Sequence, residues 1–454
     1  MTFIASFLDN EVIPSLILWK SPNFIFVIDG GHRLSALRSW MEDDYGDRAI
    51  SQVFYNGEIS EEQKKIAKRT RKIIESKIGR FSTLRDLVGT KTGTDEQTRR
   101  ANMLVTRAVQ VQWIQGSASV AETSFFKINS QGTPLDEVEE MLIRNRRKPI
   151  AISARAILRA GAGHKYWSAF SAENQAELEE LASKFYQLMF EPEVEEPLKT
   201  LEVSLGGSVS PVNALALLIE FLTIAGTRAA EYKGVADYAD DDSGAATVAV
   251  LKNSLEIVKY ITGNEGCSLG LHPAVYFYNE KGKYSRFLFL GMTLLLNEKV
   301  RNNDRKFFKK FTTQREKIEA FIIENKSLIG ILLQNMSKTN RVPKMRDLLM
   351  FLVSEFETGT AVTVESMIQH LGLRGRIIDV VATQSSPQFS DDTKSIVFVR
   401  NAIKSALICP ICRGKLDPKK SVSYDHRKPV RDGGTGDPEN ADLVHPYCNT
   451  GIKN

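Results

Sequence analysis

Four side chains that commonly bind metal ions occur as two closely spaced pairs late in the chain. Cys409 and Cys412 form the first pair, and His445 and Cys448 form the second. Two residues separate the members of each pair, a spacing that lets two turns present four ligands to Zn²⁺ in a tetrahedron. Three thiolates and an imidazole leave zinc no open position, so we expect a structural metal here.

A second set of chemically suited residues lies around the second metal-binding pair. Asp425 and His426 precede a Gly433-Gly434 turn, Asn440 follows that turn, and Asn449 comes directly after the last cysteine. A neutral imidazole can take a proton from water near neutral pH. Carboxylate and amide oxygens suit Mg²⁺ or Mn²⁺, which stabilises charge on a phosphate and its leaving oxygen. Together these groups are suited to hydrolysis of a phosphodiester.

The order and spacing of these residues resemble the HNH endonuclease family over about residues 409–453. The resemblance implies a small ββα-metal fold in which His426 is the general base. It also implies that Asp425 and Asn449 bind the catalytic Mg²⁺ or Mn²⁺, and that Asn440 orients the loop bearing the base. The residues leave one alternative open, namely a zinc module that binds nucleic acid without cutting it.

A glycine-rich turn near the start of the chain is suited to binding a phosphate. The apolar run at residues 24–28 predicts a buried strand, and an amphipathic helical pattern follows the turn. Glycines at a strand-to-helix turn let backbone amides approach an anion, and an arginine can clamp it with two hydrogen bonds. The candidate nucleotide-binding residues are Asp29, Gly30, Gly31, His32 and Arg33.

A second segment, residues 125–135, has the pattern Phe-x-x-x-Asn-x-x-Gly-x-x-Leu, formed by Phe125, Asn129, Gly132 and Leu135. Together the two segments resemble the DUF262 family, which is related to the ParB/sulfiredoxin fold, over roughly residues 1–160. The resemblance implies an α/β domain that binds or hydrolyses a nucleoside triphosphate, with Asn129 belonging to the site. The alternative is that the second segment only forms a turn packed beside the sheet.

Composition places the chain among ordinary globular proteins. Of its 454 residues, 42% are hydrophobic and 25% are charged, which excludes a collagen-like, low-complexity or wholly disordered chain. No apolar run reaches the ~18 residues of a membrane span, and we see no secretion signal. We therefore expect a cytoplasmic protein, and in that compartment clustered cysteines favour metal over disulfides.

We expect an α+β, multidomain fold of three parts. Residues 1–150 would form the ParB-like α/β regulatory domain, residues 151–390 a mainly helical middle domain, and residues 396–454 the zinc-stapled HNH domain. The β-favouring residues 396–399 predict a strand at the start of the last domain.

Two basic stretches each allow two interpretations. The stretch at residues 60–80 is either a solvated helix face or a nucleic-acid contact. The second stretch is residues 305–317. There Phe307, Phe308 and Phe311 share one helix face, which favours core packing over base stacking. The net charge of +5 is only a weak indication of a polyanionic partner.

A DUF262-like module fused to an HNH module resembles bacterial anti-phage and modification-dependent restriction proteins. The resemblance implies a metal-dependent DNA endonuclease regulated by an N-terminal nucleotide- or DNA-sensing module. Its partners would be DNA, including modified or phage DNA, and either a second copy of the chain or companion defence proteins. Two alternatives stay open: a nucleic-acid-binding regulator that does not cleave, and an HNH nuclease of DNA repair or RNA processing.

Overall fold

The computed structural model describes residues 2–21, 24–54, 57, 59, 61–90, 92–117, 120–121, 124–125, 128, 137–162, 166–207, 211–227, 234–373 and 388–452. The chain divides into two compact units, Met1–Glu137 and Val138–Asn454. Within the described ranges, none of the helices combines the length and the apolar character needed to cross a membrane.

The described part of the first unit combines short helices with a small sheet. Its helices are α1 (Thr2–Leu8), α2 (Gly31–Met41), α3 (Ala49–Phe54), α4 (Glu61–Lys77), α5 (Phe81–Asp86) and α6 (Asp95–Thr106). Its strands are β1 (Leu16–Lys20), β2 (Ile25–Asp29) and β3 (Val111–Ile114). Apolar side chains of α1, α2, α4 and α5 form the core of this unit, with Leu8, Trp40, Ile74 and Leu84 buried in it.

The sheet has the strand order β2-β1-β3, with β2 antiparallel and β3 parallel to β1. The prediction of a buried strand at residues 24–28 is wrong in its burial. Strand β2 forms one residue later, and Ile25 and Phe26 are 59% and 46% exposed. Among the described residues β2 is an edge strand that pairs only with β1, and the side chains of Ile25 and Phe26 stay exposed. An apolar run predicts a strand, but it does not reveal whether neighbouring elements cover both faces.

Helix α4 contains most of the basic stretch at residues 60–80. Arg71 turns inward and binds the carboxylates of Asp43 and Asp47 at 3.0 and 2.6 Å. The other predicted basic side chains on this helix are exposed, namely Lys64, Lys65, Lys68, Arg69 and Lys72. The helix is therefore held on one face and charged on the other, and its contact with nucleic acid stays a prediction.

The described part of the second unit is mainly helical up to residue 405, in agreement with the helical pattern predicted for residues 151–390. Its helices are α7 (Glu137–Arg144), α8 (Pro149–Leu158), α9 (Ala172–Phe190), α10 (Pro211–Ala225), α11 (Ala245–Ile261), α12 (Pro273–Tyr276), α13 (Arg286–Arg301), α14 (Arg305–Thr313), α15 (Arg315–Gln334), α16 (Lys338–Glu357), α17 (Val364–His370) and α18 (Asp391–Ser405). Phe307, Phe308 and Phe311 are buried on α14, as the core interpretation predicts.

The predicted strand at residues 396–399 is wrong, because these residues lie inside α18. Ser395, Val399 and Ile403 are the buried residues of this helix, and their spacing of four is helical. Ser390 caps its start by accepting the N–H of Thr393 at 3.1 Å. The β-branched residues gave a local preference that packing on the helical unit overrides.

Residues 409–452 form a small module with two strands, β4 (Ser423–His426) and β5 (Ala441–Val444), paired as an antiparallel hairpin. A π-helical turn, Cys448–Ile452, follows the hairpin. Val444 and Leu416 pack with three cysteines into a separate small core. The described chain is thus a helix-rich α+β protein, as predicted; the ParB-like character of the first unit stays a prediction.

Candidate metal centre and nuclease site

A tight turn presents the first two candidate metal ligands. The Cys409 N–H donates to the carbonyl of Gly414 at 2.9 Å, and the Arg413 N–H donates to the carbonyl of Cys409 at 2.9 Å. Arg413 adopts a left-handed backbone with φ of 61°, which reverses the chain directly after Cys412. The turn thereby directs both cysteines into the small core.

Cys409, Cys412, His445 and Cys448 come together as a buried cluster, with all four ligand atoms within 4.8 Å of one another. The Cys412 Sγ lies 3.2 Å from the His445 Nδ1. The other ring nitrogen, Nε2, lies 3.1 Å from the carbonyl oxygen of Lys415. Because a carbonyl only accepts, Nε2 carries the hydrogen and the lone pair of Nδ1 faces the thiols. Three thiols and this imidazole fit a structural zinc ion.

The three thiols of the cluster differ in their pKa because they form hydrogen bonds with one another. Hydrogen bonds from Cys412 and Cys448 hold the pKa of Cys409 well below its ordinary value. The hydrogen bond to Cys409 raises the pKa of Cys412 to about 12, and that of Cys448 is also raised. Burial lowers the pKa of His445 and keeps its ring neutral. A metal that binds three thiolates here must therefore displace thiol protons.

The β4–β5 hairpin carries the residues predicted for catalysis. Asp425 lies directly opposite Asp442 in the register, so the two carboxylates share one face of the hairpin. The Arg427 Nε donates to Asp442 at 2.8 Å and offsets its charge. Asp425 thus has a second carboxylate opposite it whose charge is already paired.

Asn449 contacts β4 at the two residues that precede Asp425. Its Nδ2 donates to the Ser423 Oγ at 2.8 Å and to the Tyr424 carbonyl at 3.2 Å. Ser423 and Asp425 point to one face because side chains alternate along a strand. Of the two predicted ligands of a catalytic cation, Asp425 therefore lies on β4 and Asn449 contacts that strand, and their shared binding of a cation stays a prediction. Their carboxylate and amide oxygens are suited to Mg²⁺ or Mn²⁺.

His426 is the last residue of β4, next to Asp425 and half-exposed. Strand alternation directs its side chain away from the face that carries Asp425. A phosphate that meets both groups must therefore lie across the end of the strand, where the chain leaves the hairpin.

Asn440 fastens the loop that follows His426. Its Oδ1 accepts the Lys428 N–H at 2.7 Å, and its Nδ2 donates to the carbonyls of Lys428 and Thr435 at 3.1 and 2.7 Å. Gly434 is required in this loop because a Cβ there would collide with the Lys428 carbonyl. These contacts match the loop-orienting role that the family resemblance implies for Asn440.

The helical unit holds this module through residues that sequence reasoning missed. Ser421, just before β4, donates to the carbonyl of Gly263 at 2.7 Å and lies 2.9 Å from the Ser268 Oγ. The Tyr447 N–H donates to the carbonyl of Ser268 at 2.9 Å, and Thr450 donates to that of Gly266 at 2.5 Å. Loop 263–270 thus supports both the strand and the turn of the candidate site. Serine and glycine contacts of this kind leave no pattern in the sequence.

The N-terminal turn places its charged residues against each other. The Arg33 Nη2 donates to Asp29 at 2.6 Å and to the Ser15 carbonyl at 3.1 Å. Gly30 has φ of +97° before α2, a backbone that favours glycine. Gly31 and His32 form the first turn of α2.

Asn129 and Gly132, from the second N-terminal segment, lie outside the described residues. Their position relative to the turn at Gly30 stays a prediction.

Residues 409–454 match the family model of the HNH endonuclease. The matched range contains the four-ligand cluster and the hairpin with Asp425, His426, Asn440 and Asn449. No curated protein and no solved structure matches the chain. The match confirms the HNH part of the sequence interpretation, whereas no family model supports the DUF262 part. An HNH endonuclease domain at residues 409–454 indicates a nuclease.

Proposed function

We propose that the chain is a metal-dependent endonuclease that hydrolyses phosphodiester bonds in DNA. The observation that carries this proposal is the contact of the Asn449 amide with Ser423 and Tyr424 on β4, next to Asp425. A module that only binds nucleic acid has no chemical need for a cation site beside a histidine. The match to the HNH endonuclease model supports the same conclusion.

The proposed mechanism gives each residue one task. His426 accepts the proton of the attacking water on its ring nitrogen. Asp425 and Asn449 would hold the divalent cation through their oxygens. That cation, when bound, stabilises the charge that develops on the phosphate and the leaving oxygen. Asn440 keeps the loop after His426 in place, so the base stays oriented towards the end of β4.

The zinc centre has a structural task in this proposal. Its four ligands fix the turn at Cys409 against the turn at Cys448, and Asn449 follows that second turn directly. The metal therefore determines where Asn449 meets the hairpin. A module with so small a core gains folding free energy from such a metal.

Basic side chains near the hairpin support a polyanionic substrate. Lys428 and Arg431 are exposed in the loop after His426. They can contact phosphates on either side of the scissile bond. Arg427 is already paired with Asp442 and supports the hairpin instead.

The first unit gives the proposal its regulatory part. A nucleotide or DNA signal sensed at Asp29–Arg33 would control the nuclease, and a role in restriction of phage or modified DNA follows from the resemblance of the fusion alone. The left-handed Gly30 before α2 and the adjacent Arg33 support an anion site there.

A plasmid assay with purified, zinc-loaded protein tests the proposed activity. Supercoiled DNA incubated with Mg²⁺ or Mn²⁺ should be converted to nicked or linear DNA, and an excess of chelator should stop the reaction. A gel-shift assay on the same DNA separates binding from cleavage. Retarded but intact DNA in every divalent cation would favour the non-cleaving regulator. Cleavage of RNA in preference to DNA would favour an RNA-processing nuclease.

A further inference from the structure

A buried ion pair on α15 lies beside the first metal-binding turn. The Arg315 Nε donates to the Glu319 Oε1 at 2.7 Å, and these side chains are 1% and 4% exposed. The Arg315 guanidinium also donates to the carbonyls of Leu269 and Gly270. The Tyr276 hydroxyl donates to the same Glu319 Oε1 at 3.0 Å. The Oε1 of Glu319 thus accepts hydrogen bonds from two side chains of the helical unit.

The second oxygen of Glu319 reaches the metal module. Its Oε2 accepts the backbone N–H of Lys415 at 2.7 Å. The carbonyl of the same Lys415 accepts the Nε2–H of His445 at 3.1 Å. Hydrogen bonds therefore connect the Glu319 carboxylate to the N–H of Lys415, and the carbonyl of Lys415 to the imidazole of His445, a candidate metal ligand.

Close packing at Gly414 and at Gly270 holds Lys415 and His445 in these hydrogen bonds. Gly414, next to Lys415, has no room for a Cβ because the Arg315 side chain occupies that space. A Cβ on Gly270 would lie 2.7 Å from the ring of His445. The backbone of loop 263–270 therefore contacts the imidazole directly, and α15 supports the peptide to which that imidazole donates.

We propose that Glu319 is a positioning residue of the zinc centre. Its carboxylate holds the Lys415 residue so that the carbonyl captures the Nε2–H of His445 and leaves Nδ1 directed at the thiols. A carbonyl that accepts from a histidine ligand orients that ligand and raises its basicity, and Glu319 acts by holding the residue that carries this carbonyl. The inference rests on the zinc centre of the proposed function, and its test does not require DNA cleavage.

A role in stabilising α15 alone does not account for the geometry. A buried ion pair between two residues four apart is a costly way to stabilise a helix, because apolar residues of similar volume stabilise it at least as well. The bond from Lys415 to Glu319 also joins two segments 96 residues apart. The carboxylate is therefore placed to serve the metal module.

Two variants of the full-length chain separate the two roles. In Glu319→Gln the single amide oxygen stays with Arg315 and Tyr276, and the amide N–H₂ then faces the Lys415 N–H, so the link to His445 is lost. Tyr276→Phe is the matched control, because it removes a buried hydrogen bond to Oε1 and keeps the link through Oε2. Both substitutions disturb the same buried network.

The measurement is zinc affinity by competition with a chelator, together with the absorption spectrum of the Co²⁺-substituted protein. Glu319→Gln should bind zinc about 10- to 100-fold more weakly and change the cobalt spectrum, as loss of such a partner does elsewhere. Tyr276→Phe should keep the wild-type affinity and spectrum even if its melting temperature falls. Wild-type affinity in Glu319→Gln, or equal losses in both variants, would overturn the proposal.

A third variant protects the test against misfolding of Glu319→Gln. Lys415→Pro removes the donor N–H from the module's side and leaves the pair of Arg315 and Glu319 intact. It should weaken zinc binding with the helical content unchanged, whereas unchanged zinc affinity would overturn the proposal. Because every readout concerns metal, a chain that never cuts DNA still gives a result.

Discussion

Asn440 makes hydrogen bonds to three backbone groups of the loop that follows His426. We predict that Asn440→Ala slows DNA nicking by about ten- to a hundred-fold, because small displacements of a catalytic group are costly. Zinc content should not change, since Asn440 is not among the four ligands. Asn401→Ala, which removes an exposed amide on α18, is the control and should nick at the wild-type rate. Equal rates for Asn440→Ala and wild type would remove this residue from the proposed mechanism.

His272 offers a test of the buried core beneath the module. Its Nδ1 accepts the Ala274 N–H at 3.2 Å, and burial lowers its pKa to about 4. Glu319 opposes this shift, whereas the charges of Lys326 and Arg315 add to it. The folded chain therefore takes up this proton only at lower pH than the unfolded chain does.

Because the pKa of His272 is lower in the folded chain than in the unfolded chain, the free energy of unfolding falls as the pH falls. The stabilisation from a neutral His272 is complete above the unfolded pKa of ~6.5 and is lost as the pH falls through 4, by about 3 kcal/mol in total. His272→Asn keeps an acceptor for the Ala274 N–H and does not titrate. Denaturant unfolding at pH 7 and pH 4 should show a larger loss in wild type than in this variant. Equal losses of unfolding free energy in wild type and in His272→Asn would contradict the lowered pKa of His272.

At the scale of the element, the zinc turn and α18 should respond differently to loss of a ligand. We predict that Cys412→Ser loses zinc and that residues after about 406 unfold, because metal binding contributes folding free energy to this module. Helix α18 should stay folded, since Ser395 accepts the Leu198 N–H at 3.1 Å and Val399 is buried in the helical core. Metal analysis and hydrogen exchange measure the two effects.

Cys267→Ser is the matched control for Cys412→Ser. Cys267 is half-buried in loop 263–270 and is not one of the four clustered ligands. The control should keep the zinc stoichiometry of wild type. If Cys412→Ser also keeps it, the metal cluster has been assigned wrongly.

The elements differ in how far they could be predicted from the sequence. The pairs at Cys409 and His445 have fixed local spacing, so the metal cluster could be predicted from them, whereas the hairpin was implied by the family resemblance. The burial of β2 and the helix at residues 396–399 could not be predicted, because each depends on which distant elements cover the residues. Glu319 was missed for the same reason. Its spacing from Arg315 is that of an ordinary helix-surface pair, and only the fold brings it to Lys415.

At the scale of the whole molecule, the first unit is proposed to regulate the nuclease. We predict that Arg33→Ala weakens nucleotide binding by about ten- to a hundred-fold, because a guanidinium–phosphate pair is charge-assisted. Any effect of nucleotide on nicking should disappear, whereas nicking without nucleotide should be unchanged. Calorimetry with nucleoside triphosphates, alongside nicking with and without each, measures both.

Arg38→Ala supplies the control for this prediction, because Arg38 is exposed on the same helix α2. It should bind nucleotide as wild type does. Arg33 is paired with Asp29 and the Ser15 carbonyl, so a nucleotide must replace part of that pairing. Absence of nucleotide binding by wild type would leave DNA sensing or docking as the task of the first unit.

The central claim is that His426 is the general base of a DNA-cleaving site. The most direct measurement is the nicking rate of zinc-loaded His426→Ala on supercoiled DNA with Mg²⁺ or Mn²⁺, beside wild type and His370→Ala, which alters an exposed histidine on α17. We predict that His426→Ala loses cleavage and keeps its fold, zinc content and DNA binding, whereas His370→Ala cleaves as wild type does. Nicking by His426→Ala at the wild-type rate would contradict the proposed mechanism.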